Sequence, residues 1–118
     1  MNTIDLKGRT AVVTGAARGI GLAIAQRLLA SGARCSLWDF DRAALNAAMS
    51  ALEGQGECDM AVVDVTRPSA VATATDDTLR RFGAIDILVN NAGIAGVAKK
   101  LWECAPDEWL QVLNIDLF

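Results

Sequence analysis

Short apolar segments alternate along the chain with longer segments of helical periodicity. Four short, largely apolar runs, the first of them rich in β-branched residues, are typical of buried strands: residues 10–13, 34–38, 60–63 and 85–89. Between them, apolar residues recur every three or four positions, as in helices with one buried face. Because the strands are apolar throughout, the order βαβαβαβ predicts an α/β fold with a parallel sheet covered on both faces by helices.

Local start and stop signals set the expected ends of the three helices. Gly32 stands where a glycine commonly ends a helix, so it closes the first. Asp41 is the predicted N-cap of the second helix, since its side chain can accept a hydrogen bond from a free backbone N–H. The third helix is predicted over residues 68–82, from a proline to the residue before Gly83.

The pattern changes after the fourth strand. Residues 90–101 predict a loop, and Pro106 is expected to open a further helix. The chain then reaches Phe118 inside that helix or at its end, which leaves the fourth strand unpaired on one side, at the edge of the sheet. The predicted buried face of this last helix consists of Trp109, Val112 and Leu113.

Length and charge exclude several classes of protein. A chain of 118 residues predicts one domain, residues 1–118. The net charge of −3 gives no basic surface for nucleic acid or anionic lipid. The sequence has no apolar run long enough to cross a membrane, and residues 1–10 are too polar for a signal-peptide core, so a cytoplasmic location is expected.

Three residue types limit the chemistry of the chain. It has no His, which excludes a Ser-His-Asp triad and a histidine metal site within it. It has no Tyr, so no phenol acts here as an acid or base. The cysteines lack zinc-site spacing and are expected to be reduced, packed thiols: Cys35, Cys58 and Cys104.

A glycine-rich loop, residues 14–21, joins the first strand to the first helix. Gly15 permits a tight turn, Gly19 lets the backbone approach a diphosphate, and Gly21 lets the helix lie close to the sheet. The helix N-terminus offers N–H groups and a positive dipole end to phosphates. A tight turn without a ligand remains the alternative, whereas the Gly-Lys-Ser/Thr ending of a Walker loop is missing.

Asp39 follows the second strand, where a carboxylate can accept hydrogen bonds from both ribose hydroxyls of adenosine. Its charge would repel a 2′-phosphate, which favours NAD over NADP. Arg18 favours the opposite choice, because a guanidinium in the loop can pair with that phosphate. The alternatives are a helix-capping role for Asp39 and a solvated loop cation for Arg18.

Polar residues also follow the third and fourth strands. Asp64 can reach the adenine amino group, with Val65 packed nearby, or else it is an acid at a helix start. The amides of Asn90 and Asn91 can tie adjacent strands together and line a cofactor cleft, although a simple turn is the alternative.

These four motifs in register resemble the short-chain dehydrogenase/reductase family, from Leu6 onward. The resemblance implies a Rossmann-type doubly wound parallel sheet, of which this chain would be the first half, with strand order 3-2-1-4 and an incomplete C-terminal end. It also implies hydride transfer between NAD and an alcohol or ketone, in a parent protein that is a homodimer or homotetramer. The cofactor-binding residues that it implies are Gly15, Ala16, Ala17, Arg18, Gly19, Ile20, Gly21, Asp39, Asp64, Val65, Asn91, Ala92 and Gly93.

The chain departs from the family pattern in its catalytic residues. The family places a serine and a Tyr-x-x-x-Lys downstream of the motifs seen here, so this chain alone is expected to be inactive. The family also carries a catalytic Asn at the position where this sequence has Asp116, so either the Asn is replaced here or the local match to the family motif is shifted. A non-catalytic NAD-binding or sensory module is the alternative, and a Rossmann-like methyltransferase is disfavoured by the loop spacing and by residues 90–93.

Overall fold

The computed structural model describes residues 5–91 and the backbone of residues 115–117. These parts of the chain form a five-stranded sheet with three helices. In chain order the elements are β1 (Thr10–Thr14), α1 (Gly19–Ala30), β2 (Arg34–Asp39), α2 (Arg42–Ala51), β3 (Cys58–Val62), α3 (Pro68–Phe82), β4 (Ile87–Val89) and β5 (Ile115–Leu117).

The strand order is β3-β2-β1-β4-β5, and the first four strands are parallel. The register places Val12 of β1 between Ser36 of β2 and Leu88 of β4. This confirms the predicted 3-2-1-4 order. The chain winds in one direction from β1 to β3 and in the other direction to β4, so the carboxyl end of β1 lies where the winding reverses. Ligands of open α/β sheets bind at such a point.

The prediction for the end of the chain was wrong. Residues 115–117 are not helical but form β5, which pairs antiparallel with β4, with Asp116 opposite Leu88. An open β4 edge would present unpaired backbone donors and acceptors, which β5 satisfies. β4 is therefore flanked on both sides and does not form the edge of the sheet. The helix expected from Pro106 lies outside the described residues.

The helix boundary predictions are confirmed. Gly32 follows α1 with a φ of 98°, in the left-handed region. The Asp41 side chain caps α2 by accepting a hydrogen bond from the Ala44 N–H at 3.0 Å. α3 spans Pro68–Phe82, as predicted, and ends at Gly83 with a φ of 86°.

Apolar side chains are buried on both faces of the sheet. On one face, Val13 and Leu37 pack with Leu45 of α2 in a cluster that also includes α1. On the other face, Val12 and Trp38 pack with residues of α3. Neighbouring residues of β1 thus face opposite sides of the sheet, and both sides are covered by helices, as the apolar strands predicted.

Two cysteines lie on adjacent strands, in register with each other. Burial raises the pKa of the Cys35 thiol to about 12 and that of the half-buried Cys58 thiol to about 11. Both are free thiols, as expected. Cys104 lies outside the described residues.

Among the residues that the structure describes, no helix combines the length and the apolar character needed to cross a membrane.

A hydrogen-bonded clasp joins the carboxyl ends of β1 and β4. The Thr14 hydroxyl donates to Asn90 Oδ1 at 3.1 Å and accepts from the Asn91 backbone N–H at 2.9 Å. The Asn91 side-chain amide donates to the Gly15 carbonyl at 3.2 Å. The two amides therefore tie adjacent strands together, and the Thr14 hydroxyl is the centre of the contact.

Replacing Thr14 tests how much this clasp stabilises the fold. Thr14→Val keeps the shape of the side chain but leaves the Asn91 N–H without its acceptor, so the free energy of unfolding should fall by about 1–3 kcal/mol. Thr14→Ser keeps the hydroxyl, so its free energy of unfolding should fall clearly less. Urea unfolding of both variants measures the difference, and equal losses would show that the hydroxyl contributes nothing.

Candidate functional site

The loops that follow β1, β2, β3 and β4 surround one cleft of about 500 Å³. It lies at the carboxyl end of the sheet, where the winding reverses. Five of the residues selected from the sequence line it, together with four others. The lining residues are Gly15, Trp38, Asp39, Phe40, Val63, Asp64, Val65, Thr66 and Asn91.

The β1–α1 loop turns sharply and brings the first turn of α1 against β4. Gly15 and Gly19 have φ values of 61° and 60°, a conformation that disfavours side chains. A Cβ atom at Gly21 would lie 2.0 Å from the Gly15 carbonyl oxygen and 2.7 Å from the Asn91 side-chain nitrogen. No other residue fits there unless the loop moves, so this close approach requires glycine.

The N-terminus of α1 is not capped by a side chain. Arg18 is the N-cap residue and makes no side-chain cap hydrogen bond. The first N–H groups of a helix lack intrahelical partners, and they carry the positive end of the helix dipole. α3 also lacks a side-chain cap, whereas Asp41 caps α2. The start of α1 therefore has the electrostatic character of an anion-binding helix terminus.

Asp39 ends β2 and is a buried residue, only 8% exposed. One carboxylate oxygen accepts from the Ala17 backbone N–H at 3.2 Å, and the other from the Asp41 backbone N–H at 3.1 Å. Asp39 does not cap α2, because Asp41 is the N-cap residue of that helix. The carboxylate is instead held against the glycine loop, and it retains lone pairs for further donors.

Arg18 projects from the loop and pairs with Asp41 rather than standing free in solvent. The Arg18 Nη2 lies 2.5 Å from Asp41 Oδ2, with the two side chains 68% and 35% exposed. The hydrogen bond from the Ala44 N–H lowers the pKa of Asp41 most, and the hydrogen bond and charge of Arg18 lower it further. Asp41 is thus ionised at neutral pH and binds two partners at once.

Asp64 and Val65 follow β3 and line the cleft. Asp64 accepts hydrogen bonds from the Thr66 hydroxyl at 2.6 Å and the Thr66 backbone N–H at 3.0 Å, and these bonds lower its pKa. It does not cap α3, whose N-cap is Arg67. The side chain is exposed and ionised, and Val65 beside it is 38% exposed.

Phe40 lies in the cleft although the sequence motifs did not indicate it. It follows Asp39 directly, lines the cleft and is 78% exposed, the largest exposure among the large apolar side chains that the structure describes. An aromatic ring exposed in a cleft is a platform for a planar ligand. The available signal was an isolated aromatic residue between two acids, outside any periodic apolar pattern.

Several predicted residues cannot be placed in this cleft. Ala92 and Gly93 lie outside the described residues. Asp116 belongs to β5, of which only the backbone is described. No group of His, Cys, Asp and Glu side chains within residues 5–91 is arranged to hold a metal ion.

Comparison with known proteins identifies the family. The sequence pattern of the short chain dehydrogenases matches residues 9–118. The chain is 36% identical to the 2-dehydro-3-deoxy-L-rhamnonate dehydrogenase (NAD(+)) of Sphingomonas sp. strain SKA58, over 93% of this chain and 43% of that protein. It is 39% identical to 3beta-hydroxysteroid dehydrogenase 2 of Eggerthella lenta, over 95% of this chain and 44% of that protein.

Solved structures show the same fold. An NAD+-bound xylitol dehydrogenase has 42% identity and a TM-score of 0.72, over 75% of this chain and 34% of that one. A short chain dehydrogenase from Mycobacterium smegmatis has 34% identity and a TM-score of 0.72, over 97% of this chain and 50% of that one.

The chain spans less than half the length of the curated relatives named here. With its glycine loop, its strand order and this match along most of its length, the chain belongs to the short chain dehydrogenase family.

Proposed function

We propose that the chain is the cofactor-binding part of an NAD-dependent oxidoreductase that interconverts an alcohol and a ketone by hydride transfer. The observation that carries this proposal is that Gly15, in the loop that leads to the uncapped start of α1, lines one cleft together with Asp39, whose buried carboxylate accepts a hydrogen bond from Ala17 of the same loop. These two features suit NAD, the helix start for its diphosphate and the carboxylate for its ribose hydroxyls.

Each part of the cofactor has a matching group in the cleft or in the glycine loop beside it. Residues 15–20 would bind the diphosphate at the start of α1. Asp39 would accept hydrogen bonds from the two adenosine ribose hydroxyls, using lone pairs that Ala17 and Asp41 leave free. Phe40 and Val65 are exposed apolar groups of the same cleft, suited to the faces of adenine, and Asp64 is an acceptor for its amino group.

The nicotinamide end is proposed to lie towards β4. Asn91 is fixed there by its side-chain hydrogen bond to the Gly15 carbonyl, and Ala92 and Gly93 follow it in sequence. When bound, the nicotinamide supplies hydride transfer at its C4 atom. The contribution of this chain is to bind and orient the cofactor, since it contains neither a His nor a Tyr to exchange the proton.

NAD is the proposed cofactor rather than NADP. A carboxylate held at the ribose position repels a 2′-phosphate, and the burial of Asp39 limits how far solvent ions screen the repulsion. Two of the similar proteins support this choice, since one is named as an NAD(+)-dependent enzyme and another was solved with NAD+ bound.

Asp39→Asn tests the assigned ribose contact. Loss of a charged acceptor should weaken NAD binding by about ten- to a hundredfold, because hydrogen bonds to charged groups contribute about 1.5–3 kcal/mol. NADP binding should weaken less or improve, because the repulsion is removed as well. Calorimetric titration with each cofactor gives both affinities.

Glu53→Gln is the matched control, since it removes one exposed carboxylate charge outside the cleft lining. It should leave both affinities unchanged. An Asp39→Asn protein that folds with an unchanged melting temperature and keeps the NAD affinity of the parent would contradict the ribose assignment.

The chemistry is tested separately from binding. The 118-residue chain should bind NADH but should not oxidise it with a panel of ketones, because it lacks the residues that usually exchange the proton. Absorbance of NADH follows the reaction. Sustained turnover by the 118-residue chain would show that it contains an acid–base group that we have not identified.

A further inference from the structure

We infer that the Arg18–Asp41 ion pair is a cofactor-specificity lock, in which Asp41 withholds the Arg18 guanidinium from a phosphate on the adenosine 2′-oxygen. Asp41 would then be a specificity-determining residue beside Asp39. This inference rests on the proposed function, because it concerns the ribose end of the same cleft.

The geometry places the ion pair directly at the ribose carboxylate. The two backbone N–H groups that hold Asp39 belong to Ala17, the residue before Arg18, and to Asp41 itself. The side chains of Arg18 and Asp41 then meet at 2.5 Å. The pair therefore links the β1–α1 loop to the β2–α2 loop beside the carboxylate that would bind the ribose.

Asp41 is an anchored partner rather than a mobile one. One of its oxygens accepts the capping hydrogen bond from the Ala44 N–H at 3.0 Å, while the other contacts Arg18. The hydrogen bond from Ala44 holds the carboxylate independently of its contact with Arg18. A phosphate at the 2′-oxygen would have to draw Arg18 away from Asp41, and two carboxylates would then face the new charge.

This pairing changes the interpretation of Arg18. An arginine in a phosphate-binding loop ordinarily favours NADP, because its guanidinium can bind a phosphate through two hydrogen bonds. Here the guanidinium already has an anionic partner, so its attraction for a second anion is reduced. The pair is exposed, and exposed ion pairs contribute modestly, so the lock adds to the Asp39 effect without replacing it.

The first variant to test is Asp41→Asn, which removes the charge but keeps an oxygen that can cap α2. The probes are AMP and adenosine 2′,5′-bisphosphate, which differ only in the 2′-phosphate and require no residue at the nicotinamide end. Calorimetry at low salt should show about a three- to fivefold gain in bisphosphate affinity, the size expected for an exposed ion pair. AMP affinity should change less than about twofold.

A matched control removes a different ion pair of the same kind. Asp77→Asn frees Arg80 on α3, outside the lining of the cleft, and should leave the ratio of the two affinities unchanged. Arg18→Gln provides a test that does not disturb the α2 cap. Because Arg18 is withheld in the parent protein, this variant should change the ratio by less than about twofold.

The double variant separates a lock from simple repulsion. If Asp41 acts by holding Arg18, the gain from Asp41→Asn should largely disappear when Arg18 is Gln. The lock would be overturned if the gain persisted in the Arg18→Gln background or if Asp41→Asn gave no gain at all. A large loss of bisphosphate binding in Arg18→Gln alone would also overturn it.

The experiment distinguishes failure of the proposed function from failure of the lock. If AMP does not bind the folded parent protein, the proposed function is overturned and the lock with it. If AMP binds but Asp41→Asn does not change the ratio of bisphosphate affinity to AMP affinity, only the lock is overturned.

Discussion

The structure depends on the close contact between the first turn of α1 and the ends of β1 and β4. Gly21 has no room for a side chain beside the Gly15 carbonyl and the Asn91 amide. The same two groups are hydrogen-bonded to each other, and Thr14 fixes the Asn91 backbone. Because these contacts fix the loop, the start of α1 is held at the cleft. The diphosphate site that we propose requires this position.

The charges around the cleft form a consistent pattern. The uncapped start of α1 is the positive end, and the carboxylates of Asp39 and Asp64 lie among the cleft residues. Asp41, the neighbour of Asp39 in sequence, pairs with the nearby arginine. A ligand with a negative linker and hydroxyl donors suits this pattern, whereas an additional phosphate at the ribose does not.

Much of the fold could be predicted because local signals determine it. Gly32, Asp41 and Pro68 mark helix ends through backbone chemistry that depends on few neighbours. The strand β5 could not be predicted, because a three-residue segment shows no period and its pairing with β4 is a long-range contact. The pattern indicated a helix there, since nothing local opposed one.

The candidate site was predicted less completely than the fold. Gly15, Asp39, Asp64, Val65 and Asn91 were selected from motifs, and all five line one cleft. Phe40 was missed because a single exposed aromatic residue has no periodic signal. The contact between Arg18 and Asp41 joins residues 23 positions apart, so the sequence could show the two charges but not that they pair.

The most direct test of the account is a titration of the isotope-labelled protein with NAD, followed by the backbone amide resonances. We expect the largest shifts in residues 16–21 and at Asp39, Phe40 and Val65, because the diphosphate and adenosine would contact these groups. Shifts concentrated at the opposite end of the sheet, around Cys58, would contradict the account. A folded protein whose spectrum stays unchanged at saturating NAD would do so as well.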